Sequence, residues 1–173
     1  MDQIAGSAKV TKGALYHHFP SKEALYLRLM QDDLNSKKQC FEKAVTKSDS
    51  CRERLYQLTY EFFCLPRPKQ ELIRLIRRDN NIFNGDVRSL LIQSYQESLP
   101  QIIEQVIKDG IENGELKEGD PRLLSWFYVS LIECTLRPYS DQIFEDINSK
   151  IEHTLDFFFT GACTKTKRNE HEL

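Results

Sequence analysis

The sequence predicts an all-α fold, and three observations carry that expectation. Apolar residues climb in steps of three and four wherever a pattern is legible, which is the period of a helix face. No run alternates at period two for long enough to make a strand. Pro, Gly and capping residues stand where one helical pattern stops and the next begins. With 173 residues, 40% hydrophobic and 29% charged, the chain can bury a real core without staples. Its 7 Gly and 6 Pro exclude collagen-like and low-complexity chains, and the apolar content excludes wholesale disorder.

The first element is a helix-turn-helix unit within residues 1 to 29, which hold the sharpest signal in the chain. Ile4, Ala8, Val10 and Leu15 are apolar at positions that close such a unit, and Ala5 is small where its two helices would cross. Thr11 is placed to cap the second helix. Thr11, Lys12, Gly13 and Ala14 would then face outward, where small side chains allow approach to base edges and Lys12 supplies donors for guanine acceptors. Tyr16-His17-His18-Phe19 leads the chain back toward its body. Ser21 caps a long helix that starts at Lys22 and carries Leu25, Leu29, Leu34, Phe41 and Val45. The amides at its start, with Lys22, suit a phosphate.

A helix from Arg52 to Cys64 follows, separated by Pro66 and Pro68 from another over Gln70 to Ile82. Asn80, Asn81, Asn84 and Gly85 make the next turn. Val87, Leu90, Leu91, Tyr95, Leu99, Ile102, Ile103, Val106, Ile107 and Ile111 then draw one stripe. Pro100 breaks it near Leu99 into two helices in line, or one kinked helix, because proline lacks the amide donor. Gly114 and Gly119 end this stretch, with Asp120 as N-cap and Pro121 in the first helical position of a helix to Leu136. Leu123, Leu124, Phe127, Tyr128, Leu131 and Ile132 share one of its faces, while Trp126 and Val129 lie on a second, so burial on more than one side is expected. Ile143, Phe144, Ile147, Ile151, Leu155 and Phe158 predict a last helix over Asp141–Thr160. The polar residues 163–173 are expected to be a disordered tail.

The chain has 24 Lys and Arg against 26 Asp and Glu, so no overall basic excess advertises nucleic acid, although a local site fits inside that balance. The 5 cysteines form no C-x-x-C pair, so reduced thiols are expected and neither zinc nor a disulfide framework is indicated. No metal is expected at His17-His18, because neighbouring helical positions point about 100° apart. No catalytic motif or Gly-rich phosphate loop occurs, so no enzyme and no cofactor are expected. The longest apolar stretch, around Trp126 to Ile132, is far short of the ~20 residues that span a bilayer. No signal-peptide core is legible either, and a cytoplasmic protein without membrane attachment is expected.

Ile4-Ala5, then Ala8-Lys9-Val10-Thr11-Lys12-Gly13-Ala14-Leu15-Tyr16-His17-His18-Phe19 and Ser21-Lys22-Glu23-Ala24-Leu25, resemble the TetR family of bacterial transcriptional repressors. Gly110-Ile111-Glu112-Asn113-Gly114-Glu115-Leu116, followed by Asp120-Pro121, looks like the family as well. The resemblance implies an N-terminal unit that binds operator DNA as a dimer. A larger helical domain behind it would dimerise and hold a small-molecule pocket, with ligand binding releasing the operator. Thr11, Lys12, Gly13, Tyr16, His17 and Lys22 are the expected DNA-binding residues, and the hydroxyl of Tyr16 would reach a phosphate. Lys9 stands at a turn position where the family usually has Gly.

The family's first helix, which normally precedes Asp2, is absent, so the expectation is a DNA-binding domain over 1–32 truncated at its N-terminus. A ligand-binding and dimerisation domain over 33–162 follows it. The alternative reading is a helical ligand-binding or dimerisation protein that has lost DNA binding with that helix. Tyr60, Phe63, Tyr95 and Trp126 are expected to line the pocket, which would take a small apolar or amphipathic ligand. Homodimerisation is expected through residues 121–160, whose apolar surface exceeds what one domain covers.

Overall fold

A computed structural model describes residues 1–71, 83 and 85–161. Among them run nine helices with complete bounds: α1 Asp2–Ala8, α2 Lys12–His18, α3 Lys22–Val45, α4 Cys51–Cys64, α5 Gly85–Gln96, α6 Leu99–Glu112, α7 Pro121–Thr135, α8 Ser140–Ile143 and α9 Ile147–Thr160. Residues 67–71 are also helical, and no strand occurs among the described residues. The rest of the helix expected to Ile82, the turn residues Asn80, Asn81 and Asn84, and the tail 163–173 lie outside the described residues. The stripe that Pro100 interrupts is two helices, α5 and α6, and Pro100 occupies the first turn of α6, where its missing donor costs nothing.

Side-chain caps explain most of the helix starts. Thr11 Oγ1 accepts from Ala14 N at 3.1 Å, Ser21 Oγ from Ala24 N at 3.0 Å, and Asp120 Oδ1 from Leu123 N at 2.7 Å. At α4 the cap is partly borrowed: Glu115 reaches across with both carboxylate oxygens, 3.0 and 2.9 Å from Cys51 N.

The single long helix expected over Asp141–Thr160 is corrected to two, α8 and α9, with the chain extended at Phe144 and Asp146. Asp146 starts α9 through a capping box: its Oδ1 accepts from Ser149 N at 2.7 Å, and Ser149 Oγ accepts from Asp146 N at 3.3 Å. The Ser149 amide holds the Asp146 carboxyl below the usual aspartate range. A depressed carboxylate contributes stability above its unfolded value, and that contribution is lost as pH falls through the folded one. The start of α9 is therefore expected to fray as pH drops below about 4. Amide exchange at Ser149 checks this: protection that stays constant from pH 5 to pH 2.5 would exclude the effect.

By contact density the chain divides into two compact units, one of Met1–Gln39 with Arg67–Ser98, the other of Cys40–Pro66 with the chain from Leu99 onward. The boundary expected after residue 32 falls inside α3, which runs unbroken from Lys22 to Val45. In the first unit Ala5, Leu15 and Leu25 form one small core, flanked by Met1 and Phe19. Met30, Leu34 and Leu91 form another, with Tyr26, Leu27, Phe83 and Tyr95 against it. Lys37 is buried here, donating to the Asp33 carboxylate and, at 2.6 Å, to the carbonyl oxygen of Lys69. Burial lowers its pKa against the opposing pull of Asp33.

The second unit packs α6 on α7, and α4 on both α6 and α9, while α9 also meets α7. Its centre is Leu55, Leu58, Ile103, Ile107, Tyr128, Ile132, Ile151 and Leu155. The buried hydroxyls there are satisfied, since Thr59 Oγ1 lies 2.7 Å from Tyr128 Oη and donates to Leu55 O. Gly110 lets α6 approach α4: a Cβ there would lie 2.6 Å from Cys51 Sγ and 2.8 Å from Cys51 Cβ.

The expectation that α7 is buried on more than one side is corrected within the single chain. Its inner face is Ser125, Tyr128, Val129 and Ile132, whereas Leu123, Trp126 and Phe127 are exposed. Ser125 can turn inward because its hydroxyl is satisfied by Arg122 O at 2.7 Å.

Candidate functional site

The turn between α1 and α2 closes on Lys9, whose φ of 55° and ψ of 37° are left-handed. A side chain in that region costs on the order of 1 kcal/mol relative to Gly. The turn is held by Val10 N donating to Ala5 O at 3.0 Å and by Lys9 N to Gly6 O at 3.2 Å. These bonds occupy carbonyls that the end of α1 would otherwise leave unpaired. Ala5 and Leu15 face each other in the small core with Leu25. The apolar seal expected from Ile4, Ala8 and Val10 is corrected, since all three are exposed.

α2 therefore stands out from the unit with Leu15 as its one buried residue. Thr11, Lys12, Gly13, Ala14, Tyr16, His17 and His18 are all exposed, and so is Lys22 at the start of α3. A Cβ placed on Gly13 would meet nothing within 4 Å, so the opening turn of α2 presents an unobstructed backbone. The expected DNA-binding residues Thr11, Lys12, Gly13, Tyr16, His17 and Lys22 are thus brought to the surface by one short stretch, with Thr11 also engaged as the cap.

Lys12 is not free. Its Nζ sits 2.9 Å from Asp2 Oδ1 and 3.1 Å from Oδ2, an ion pair between α1 and α2. The hydrogen bond from Lys12 holds the Asp2 carboxyl below its ordinary range, and the same bond pushes the Lys12 ammonium above its own. The ten-residue spacing of this pair has no helical periodicity, and only the turn geometry brings the two together. Sequence reasoning missed Asp2 for that reason.

The residues expected to line a pocket are scattered. Tyr60 is exposed and stacks on Tyr56 at 6.4 Å, Phe63 is buried beneath Lys150, and Trp126 is exposed beneath Arg122. Tyr95 belongs to the first unit, packed on Met30, Leu34 and Leu91. None of the four lines either of the two cavities described next. In the second unit an apolar cavity of about 270 Å³ opens between Leu116, Leu124, Phe158 and Phe159, with Lys117 and Thr160 at its edge. In the first unit a polar cavity of about 370 Å³ lies between α3 and α5, lined by Arg28, Gln31, Asn35, Gln93 and Ser94 among others. The aromatic run Phe157-Phe158-Phe159 was the available signal for the apolar one.

Among the described residues no group of three His, Cys, Asp or Glu is placed to hold a metal ion. No described helix is long and apolar enough to cross a membrane.

Residues 1–29 match the family model for bacterial regulatory proteins of the tetR family. Over 136 residues the chain is 28% identical to the uncharacterized HTH-type transcriptional regulator YhgD of Bacillus subtilis (strain 168), covering 76% of this chain and 71% of that protein. Over 168 residues it is 23% identical to the fatty acid metabolism regulator protein of the same organism, covering 95% and 86%. Its fold is similar to the crystal structure of the transcriptional regulator FadR from Bacillus subtilis in complex with stearoyl-CoA, with a TM-score of 0.78, 22% identity, and 94% and 88% of the two chains covered.

Proposed function

We propose that this chain, similar over its first 29 residues to the tetR family of bacterial regulatory proteins and in its helical fold to FadR, is a repressor whose helix α2 reads operator DNA and whose helical body releases that DNA on binding a ligand. The observation that carries the reading is the exposed, unobstructed start of α2, capped by Thr11 and open at Gly13. A helix held by a single buried residue and presenting its N-terminal turn is the geometry by which such units enter a major groove. In this reading Lys12 contacts base edges, while Tyr16, His17 and Lys22 hold the backbone. The alternative, a helical protein without DNA binding, is not favoured, since both curated relatives are named as regulators.

The ligand we propose is amphipathic, with an apolar chain and an anionic head, as in a fatty acyl thioester of coenzyme A. Support comes from the stearoyl-CoA bound by the similar FadR and from the fatty acid metabolism regulator. A palindromic operator is to be recovered by selecting random duplexes on the protein. Long-chain acyl-CoA is then expected to dissociate the complex in an anisotropy titration, and free coenzyme A is not. Operator binding indifferent to both would sink the ligand class. Lys12→Ala is expected to weaken operator binding roughly 10- to 100-fold and relax one base position. Lys22→Ala should weaken all sequences alike and flatten the salt dependence. Equal losses on operator and random duplexes for Lys12→Ala, or a loss confined to the operator for Lys22→Ala, would overturn these roles.

A dimer completes the reading. Trp126 and Phe127 are 53% and 54% exposed on α7, and Phe157 is exposed on α9, so two adjoining helices show apolar faces without cover in one chain. A two-fold copy of the same faces would bury them as a four-helix contact within residues 121–160. Trp126→Asp with Phe127→Asp is expected to give a monomer in sedimentation at tens of micromolar, where the parent chain is a dimer. A parent chain that is itself monomeric there would refute the contact.

A further inference from the structure

We propose that Asp2 is a positioning residue for Lys12 that lowers affinity for DNA in general and so raises the preference for the operator. The inference rests on the DNA-binding reading of α2. The carboxylate straddles the ammonium at 2.9 and 3.1 Å, and both side chains are solvent-exposed, Asp2 at 75% and Lys12 at 55%. Neither distance requires any other residue, so the pair is a local device at the edge of the recognition helix.

The pair matters because the two uses of a lysine on DNA differ. Against phosphates an unpaired ammonium acts as a point charge, releases condensed counterions and binds any sequence. Against guanine it acts through directed hydrogen bonds to O6 and N7, which depend on depth and angle in the major groove. With Asp2 beside it, Lys12 brings almost no net charge to a phosphate. The carboxylate itself is repelled by the backbone. A loosely docked complex therefore gains little from this corner of the protein. A complex seated deep enough for Lys12 to reach a guanine replaces the Asp2 contact with base acceptors, and only that geometry offsets the lost pairing. An exposed ion pair is weak in water, so the exchange is reversible and its main effect falls on the competing sites. Asp2 also pins the side chain, limiting the rotamers from which Lys12 must be drawn into the groove.

The experiment uses the full chain and two variants, Asp2→Asn and Asp2→Glu, each titrated with the selected operator and with random duplex across a salt series. Asp2→Asn keeps the shape and removes the charge. Its affinity for random DNA is expected to rise about 5- to 10-fold near 0.15 M salt, with the slope of log affinity against log salt steeper by about one. Operator affinity should rise less, so the specificity ratio falls. Asp2→Glu, which keeps a carboxylate within reach of Lys12, should restore the parent ratio and slope. Melting temperatures of the three proteins should agree, since the exposed pair adds little to folding. An unchanged ratio and slope in Asp2→Asn, with operator binding intact, overturns this inference alone. A loss confined to the operator also overturns it, by showing that Asp2 itself touches a base. A parent chain that binds no duplex above background overturns the DNA-binding reading and this inference together.

Discussion

Replacing Gly13 with Leu is expected to lower operator affinity by about 100-fold or more, the scale of losing two specific base contacts, while the melting temperature stays level or rises slightly. The two halves of the expectation come from the same observation. In the free protein a side chain at Gly13 meets nothing within 4 Å, so the fold has no reason to resist it. Leu is a better helix former than Gly, by roughly 0.6–0.8 kcal/mol in an exposed helix interior, so α2 should not suffer. In the proposed docking of α2 the same empty space receives the base edges, and a branched four-carbon side chain would hold the helix out of the groove. Gly13→Ala should fall between, because one methyl group still allows contact with a thymine methyl. Anisotropy titration and a thermal melt on the same preparations give both readouts. Unchanged operator affinity in Gly13→Leu would mean that another face of the unit meets the DNA.

Gly110→Ala reverses the pattern: a stability loss with no direct contact to DNA. The added Cβ would stand 2.6 Å from Cys51 Sγ, 2.8 Å from Cys51 Cβ and 3.3 Å from a Leu116 methyl. Both helices are fixed at this crossing. Glu115 ties the chain after α6 to the start of α4, and Arg54 Nη1 bonds Asp109 Oδ2 at 2.7 Å. Overpacking of this kind costs about 1–3 kcal/mol, against a helix-propensity gain of at most ~1 kcal/mol. The net loss should lower the melting temperature by several degrees in a chain of this size. Cys51→Ala in the same background removes the sulfur contact but leaves the Cβ contact, so partial recovery is expected. Full stability in the single Gly110→Ala variant would show that α4 and α6 separate at little cost.

The parts of this architecture that could be read in the sequence are those with local causes. Thr11, Ser21 and Asp120 each announce a helix start by a side chain that bonds an amide three residues on, and all three do so. Pro100 falls in the first turn of a helix for an equally local reason. The break before α9 was missed because Ile143, Phe144, Ile147 and Ile151 keep helical spacing across it. The cause lies in the Asp146–Ser149 capping box, which competes with continuing the helix. The inner face of α7 was rotated for a similar reason: hydropathy assigns Ser125 outward, yet its hydroxyl is satisfied within its own helix and goes in. Non-local features were out of reach. Lys12 was legible as a donor, but its partner Asp2 lies ten residues away across a turn. The cavity beside Phe158 and Phe159 is set by how α9 packs near Leu116 and Leu124, which aromatic content alone does not reveal.

The burial of the first turn of α4, with Glu115 bonded to it, also decides which thiols react. Cys51 is buried beside that carboxylate, and the two effects together push its thiol up to about 12. Only the thiolate attacks electrophiles and peroxides, so near neutral pH the Cys51 thiol stays protonated and unreactive. Peroxides and alkylating agents should therefore mark Cys64 and Cys134, which are exposed, and leave Cys51 intact as long as the fold holds. Labelling of Cys51 then becomes a chemical clock for unfolding, ticking only when Glu115 lets go and α4 leaves α6.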